Sequence, residues 1–170
     1  MNNKLSLRKI SKGVLIPTEE FITGVHDFVI ENRKELGKND PTSYRDKGLI
    51  THLCDVLADR THKYKDDLME NSLYIASESF YYIACEHPFT EANKSTAFVV
   101  ALTLLAINQM PENNKWRTIN ISTEKEYSLA APDEARKIVQ LAEGGADPDQ
   151  LRRFIKEFLS KYIIQRDLNE

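Results

Sequence analysis

Apolar positions along the chain recur mostly at helical spacing, broken by polar stretches that carry glycine or proline. "PTEEFITGVHDFVIENRKELG" has Thr18 as a cap and acids in its first turn. Its apolar residues Phe21, Val25, Phe28, Val29 and Leu36 form a helical stripe, and Gly37 is its stop. Residues 38–47 have loop composition, and "GLITHLCDVLAD" follows as an amphipathic helix of two or three turns. "RTHKYKDDLME" reads as polar and exposed. Helical pattern returns at Asn71 or Ser72, with Ala76, Phe80, Ile83 and His87 at steps of four, three and four on one face. Pro88 disfavours the α conformation in the residue before it, so this helix is predicted to end at His87, and the chain turns through "PFTEA". A second helix is predicted from Asn93 to Asn108. Its Ala97–Ile107 run is apolar on almost every side, as a central helix wrapped by its neighbours would be. "NKWRTINIST" reads as one short strand or as extended chain. Two helices close the pattern, Pro132 to Glu143 before Gly144 and Gly145, and Pro148 onward behind the cap Asp147. The last carries a stripe of Leu151, Phe154, Ile155, Phe158, Leu159 and Tyr162 that docks it on the bundle. The whole reads as an all-α bundle of six or seven helices around a buried spine, with at most one short β element.

Composition narrows this picture without redirecting it. A chain of 170 residues, 41% hydrophobic and 29% charged, is expected to form one domain, 1–170, around one core. Within it, 1–14 form an N-terminal segment, 15–125 the core and 126–165 the closing helix pair. A net charge of −3 lacks the basic footprint that a nucleic-acid partner requires. The two cysteines, Cys54 and Cys85, have no zinc spacing and suit a reducing cytoplasm as free thiols. The first residues lack the apolar run of a signal peptide, and Thr96–Ile107 is too short to span a bilayer, so a cytoplasmic protein without a membrane partner is expected.

The densest chemistry stands where the spine begins. A helix N-terminus offers backbone N–H groups and the positive end of the macrodipole, which attract phosphate. In "EHPFTEANKST" that start is supplemented by the ammonium of Lys94, the amide of Asn93 and the hydroxyls of Ser95 and Thr96. Glu91 on the turn before it offers oxygen to a hard cation such as magnesium. This set suits a nucleotide polyphosphate, and His87, a short turn away, suits the base that takes a proton from an attacking hydroxyl. The plainer reading is a histidine capping one helix and a solvated start to the next. A tight turn between two apolar helices argues for the first, because it holds polar groups on rigid supports.

His87, Phe89, Glu91, Ala92, Asn93 and Lys94 together resemble the signature of the Fic and death-on-curing (Doc) superfamily, the Fido fold, with Ser95 where that signature has arginine. The resemblance extends to "PTEEFITGVHDFVIENR" as an opening helix, to "YRDKGLITHLCD", and to "DEARKIVQLAEGGADPDQLRRFIKEFL" as a closing pair, roughly Leu15 to Leu159. It implies a transferase that uses ATP or another nucleoside triphosphate and Mg2+ to modify a hydroxyl of a target protein. By position His87 is implied as the base and Glu91 as the magnesium ligand. Ala92, Asn93, Lys94 and Ser95 occupy the phosphate cradle, and Phe89 is the core anchor of the loop. Members with glycine at the Lys94 position typically transfer AMP, whereas Doc-type members with lysine there phosphorylate elongation factor Tu; Lys94 therefore favours phosphoryl transfer over adenylylation.

Ser95 is the departure with consequences. A serine hydroxyl cannot supply the fixed bidentate charge of an arginine, which leaves three readings: weaker nucleotide affinity, another arginine substituting from elsewhere, or a module that holds a nucleotide or partner without turnover. "STEKE", Ser122 to Glu126, imitates the inhibitory motif of some Fic proteins, but Tyr127 follows it and the match reads as chance. Inhibition by a separate antitoxin is the Doc-like expectation. His26 reads as a structural residue at the edge of the first helix's stripe. His52 and His62 lack partners at ligand spacing, and Tyr81, Tyr82 and Trp116 read as packing or surface aromatics. Arg45 and Asp46 read equally as a polar turn and as groups that seat a target segment.

Overall fold

The computed structural model describes residues 7–9, 13–32, 44–108, 116–118 and 131–165. Among them are six α-helices and two short antiparallel ribbons, an all-α bundle of the Fido type. Strands β1 (Leu7–Lys9) and β2 (Leu15–Pro17) pair with Leu7 opposite Pro17. This ribbon was not foreseen, because three-residue strands are too short to establish an alternating pattern. Helix α1 (Glu19–Asn32) begins as the capping residues predict: Thr18 Oγ1 accepts from the Phe21 N–H at 3.2 Å and the Thr18 carbonyl accepts from the Ile22 N–H at 3.1 Å. Phe21, Val25 and Val29 are buried as expected, but Phe28 is 50% exposed and leaves the stripe. Leu36 and the Gly37 stop lie outside the described residues.

Helix α2 spans Gly48–Asp59. In the polar stretch after it residues 61–63 and 65–67 are exposed as predicted, but Tyr64 is buried and its hydroxyl donates to the Leu57 carbonyl at 2.7 Å. Helix α3 (Leu68–Ala84) starts before the expected Asn71, because Asp67 Oδ1 accepts from the N–H groups of Met69 and Glu70 and caps it there. It also ends three residues before His87, with Cys85 as its C-cap residue.

Helix α4 (Asn93–Asn108) is the spine. It packs against α3, α1, α5 and β2, and every residue from Ala97 to Leu102 is buried. A wholly apolar surface is tolerable only under such enclosure. Asparagines clasp both of its ends. Asn93 Oδ1 accepts from the Phe89 N–H at 3.0 Å while Nδ2 donates to the Phe89 carbonyl at 2.8 Å. Asn108 does the same to Leu15, at 2.7 and 2.8 Å. A side-chain amide is matched to a single backbone residue in this way because it carries one donor and one acceptor at the spacing of a peptide unit.

Strand β3 (Trp116–Thr118) is the short element predicted near Trp116, and it pairs with β4 (Ile163–Gln165) beyond the last helix. The segment from Ile119 through "STEKE" to Tyr127 lies outside the described residues. Helix α5 (Asp133–Glu143) ends at Gly144 and at Gly145, whose φ of 82° is natural only to glycine. Helix α6 (Pro148–Ser160) starts behind Asp147, whose carboxylate accepts from the N–H groups of Asp149 and Gln150. Its Leu151, Ile155, Phe158 and Leu159 are buried, with Phe154 and Tyr162 partly so, as the stripe predicts. No helix among the described residues is long and apolar enough to cross a membrane.

Candidate active site

The turn from α3 to α4 is held from three sides. Phe89, fully buried, stacks on the His26 ring of α1 at 3.7 Å and on Tyr44 at 5.5 Å, and forms an antiparallel bridge with Tyr44. The backbone N–H groups of Arg45 and Asp46 both donate to the Pro88 carbonyl, at 2.7 and 3.0 Å. The Asn93 clasp fixes the Phe89 backbone from the other side. Phe89 is thus the anchor the motif implies, and Arg45 and Asp46 act on the site first through their backbone.

His26 is more than an edge residue. It is 1% exposed, its Nδ1 lies 3.0 Å from Thr96 Oγ1 in α4, and burial pushes its pKa from 6.5 down to about 4, so the ring that supports Phe89 is neutral at pH 7. Sequence spacing had no means of showing this, since His26 and Thr96 are 70 positions apart.

With the anchor fixed, two residues adopt left-handed backbone. His87 has φ 55° and Ala92 φ 58°, a conformation that costs a non-glycine residue about 1–2 kcal/mol. His87 therefore does not continue the α3 stripe, as had been expected. The left-handed bend turns it out of the helix line, and the ring becomes partly exposed instead of core-facing. At Ala92 the same bend immediately precedes the right-handed residues of α4, whose first-turn N–H groups have no partner within the helix. The Ala92 carbonyl accepts from the Thr96 N–H at 2.9 Å, which makes it the entry to the helix.

His87, Ala92, Asn93, Lys94 and Ser95 line one cavity of about 310 Å³, together with Ala131 and Arg136. Five sequence-predicted residues therefore converge. Glu91, on the turn before Ala92, is partly buried and is not among the described residues that line the cavity. No cluster of three metal-ligating side chains occurs among the described residues. A single carboxylate nonetheless fits magnesium, which usually completes its shell with phosphate oxygens and water. Asn93 borders the cavity but uses both amide atoms on Phe89, so its side chain positions the loop.

The electrostatics of His87 are set from several elements. Burial lowers its pKa; Glu143 at the end of α5, with Oε1 3.7 Å from Nε2, and Glu86 oppose that shift, and Arg45 and Lys94 add to it. The net direction is down, so the imidazole is neutral at pH 7 and has a free lone pair. Glu143 and Arg136 are the site residues that sequence reasoning did not name. They lie seven positions apart on α5, close to two helical turns, and so share a face. That spacing was legible, but which face meets His87 was not.

In this helical bundle the first turn of the spine and a neutral histidine border one cavity. The model for the Fic/DOC family matches residues 16–105, more than half of the chain, and the chain belongs to that family. Its members are generally nucleotide-dependent transferases. No curated protein and no solved structure matches the chain.

Proposed function

We propose that the protein transfers the γ-phosphoryl group of ATP, with Mg2+, to a hydroxyl of another protein. The observation that carries this reading is the cavity of about 310 Å³ that His87 lines together with the first turn of α4, a volume suited to the phosphate end of a nucleotide. The N–H groups of Asn93 and Lys94 and the Lys94 ammonium would receive the phosphates. Glu91 would hold the magnesium, whose charge, when bound, offsets that of the phosphate oxygens. The target hydroxyl oxygen bonds to the γ-phosphorus as the bond to the bridging oxygen of ADP breaks. The hydroxyl proton passes to the neutral His87 ring, and Glu143, 3.7 Å from Nε2, stabilises the imidazolium that results.

Lys94 supports phosphoryl transfer over adenylylation because a mobile ammonium at that position grips a phosphate that an open glycine backbone would leave ungripped. The likeness to Doc-type proteins makes elongation factor Tu the first target to try, a separate antitoxin the natural inhibitor, and the cytoplasm the place of action. Ser95, which brings no charge to the cradle, favours a second reading: a module that holds nucleotide without turnover.

The test is to incubate the protein with cell lysate and ATP labelled at either the α or the γ phosphate, alongside His87→Ala. Protein-bound γ label that requires His87 supports phosphoryl transfer, and protein-bound α label replaces it with AMP transfer. If neither label is transferred while ATP still binds, the module reading holds.

A further inference from the structure

The cavity has walls of different origin. His87 and the first turn of α4 lie within the residues that the family model matches; Ala131 and Arg136, before and within the first turn of α5, lie beyond them. Two cations line the cavity among its described residues, Lys94 from α4 and Arg136 from α5. They are not equivalent. Lys94 is a point charge on a flexible stem, whereas a guanidinium presents a planar fork that matches two phosphate oxygens at once.

Arg136 is also poised to move. Its Nη1 is 3.9 Å from Asp133 Oδ1 one turn away, and the two side chains are 54% and 89% exposed. An exposed pair of that length is worth about 0–1 kcal/mol, too little to keep the guanidinium from a multiply charged anion. Its helix, by contrast, is fixed: Ala135, Ile138 and Val139 are buried, and Lys161, just past α6, hydrogen-bonds Glu134. Ser95, in the first turn of α4, is 3% exposed and uncharged.

We propose that Arg136 is the phosphate-binding arginine of this site, reaching across from α5 to supply the bidentate charge that Ser95 does not. The inference rests on the nucleotide reading above and deepens it. It makes α5 a working wall of the site, with Arg136 on the phosphates at one end and Glu143 on the base at the other.

The experiment is calorimetric titration of the full chain with ATP and Mg2+, and with adenosine as a probe that has no phosphate. Arg136→Ala should weaken ATP binding roughly ten- to hundred-fold, leave adenosine binding unchanged, and barely move the melting temperature without nucleotide, because the side chain is half exposed. Arg136→Lys should recover only part of the loss, and adding Ser95→Arg to Arg136→Ala should restore affinity from α4. If Arg136→Ala binds ATP as the parent does while Lys94→Ala loses it, the inference falls and the nucleotide reading stands. If neither the parent chain nor Ser95→Arg binds ATP, the nucleotide reading falls and takes the inference with it.

Discussion

Replacing Asn93 by alanine removes the clasp on which the site geometry depends. Two hydrogen bonds are lost, from the Phe89 N–H at 3.0 Å and to the Phe89 carbonyl at 2.8 Å, and both ends of the pair lie in residues that are 8% exposed or less. Each buried backbone group left without its partner costs about 1–3 kcal/mol, and the carbonyl, with a second lone pair to offer, sits at the low end; the sum is about 2–4 kcal/mol. For a chain of this length each kcal/mol lowers the melting point by about 2–4 °C, so a drop of roughly 5–15 °C is expected by circular dichroism. Asn93→Asp keeps the acceptor but sets a carboxylate against the Phe89 carbonyl, so it should recover no more than about half of the loss. Asn108→Ala removes an equivalent pair, to Leu15, at the far end of α4. It should destabilise comparably while leaving ATP affinity intact, whereas Asn93→Ala should lose both. If Asn93→Ala melts within about 2 °C of the parent, the clasp is not what holds the turn, and the account of the left-handed bends at His87 and Ala92 fails with it.

Other outcomes are expected from the same physical terms. On the proposed mechanism the transfer rate should fall on the acid side, at a pH below the ordinary 6.5 of histidine, because burial lowers the His87 pKa and an imidazole takes up a proton only when neutral; Glu143→Gln removes a group that raises that pKa and should move the acid limb lower still, and an unmoved limb would disconnect Glu143 from His87. His26, neutral when folded, binds a proton more readily in the unfolded chain, so its contribution is complete above pH 6.5 and is lost as pH falls toward about 4. Urea titrations should show about 3 kcal/mol disappearing over that window, and His26→Gln should flatten the curve. Arg152 Nε donates to the buried Glu78 carboxylate at 2.8 Å and lies over the Tyr81 ring. Arg152→Ala should cost about 3–5 kcal/mol, while Glu78→Gln with Arg152 retained should cost less, since no buried charge is then left alone.

The caps were legible as local chemistry. Thr18, Asp147 and Gly145 are residue types whose side chain, or lack of one, settles the backbone within a few positions, and the helices begin and end there as read. Two boundaries were misplaced, one by a local cap that was overlooked and one by longer-range partners. Asn71 reads as a helix start, but its amide is engaged by the Lys65 backbone, at 2.7 and 2.8 Å, and Asp67 caps the helix earlier. His87 continues the α3 stripe on paper, yet the bonds from Arg45 and Asp46 to Pro88 and the burial of Phe89 accompany a helix end at Ala84 and a left-handed bend at His87.

The candidate site divides along the same line. His87 to Ser95 are nine consecutive residues, so their order alone announces a histidine, a carboxylate and a cation around a helix start. The other wall is α5, some forty positions on. No periodicity links it to that motif, and Arg136 and Glu143 became part of the site only when burial of Ala135, Ile138 and Val139 set the rotation of their helix. Short-range hydrogen bonding and sterics act over a turn or two and are written in the order of residues. The meeting of distant charges depends on how whole apolar faces dock, and that is decided only when the chain is packed.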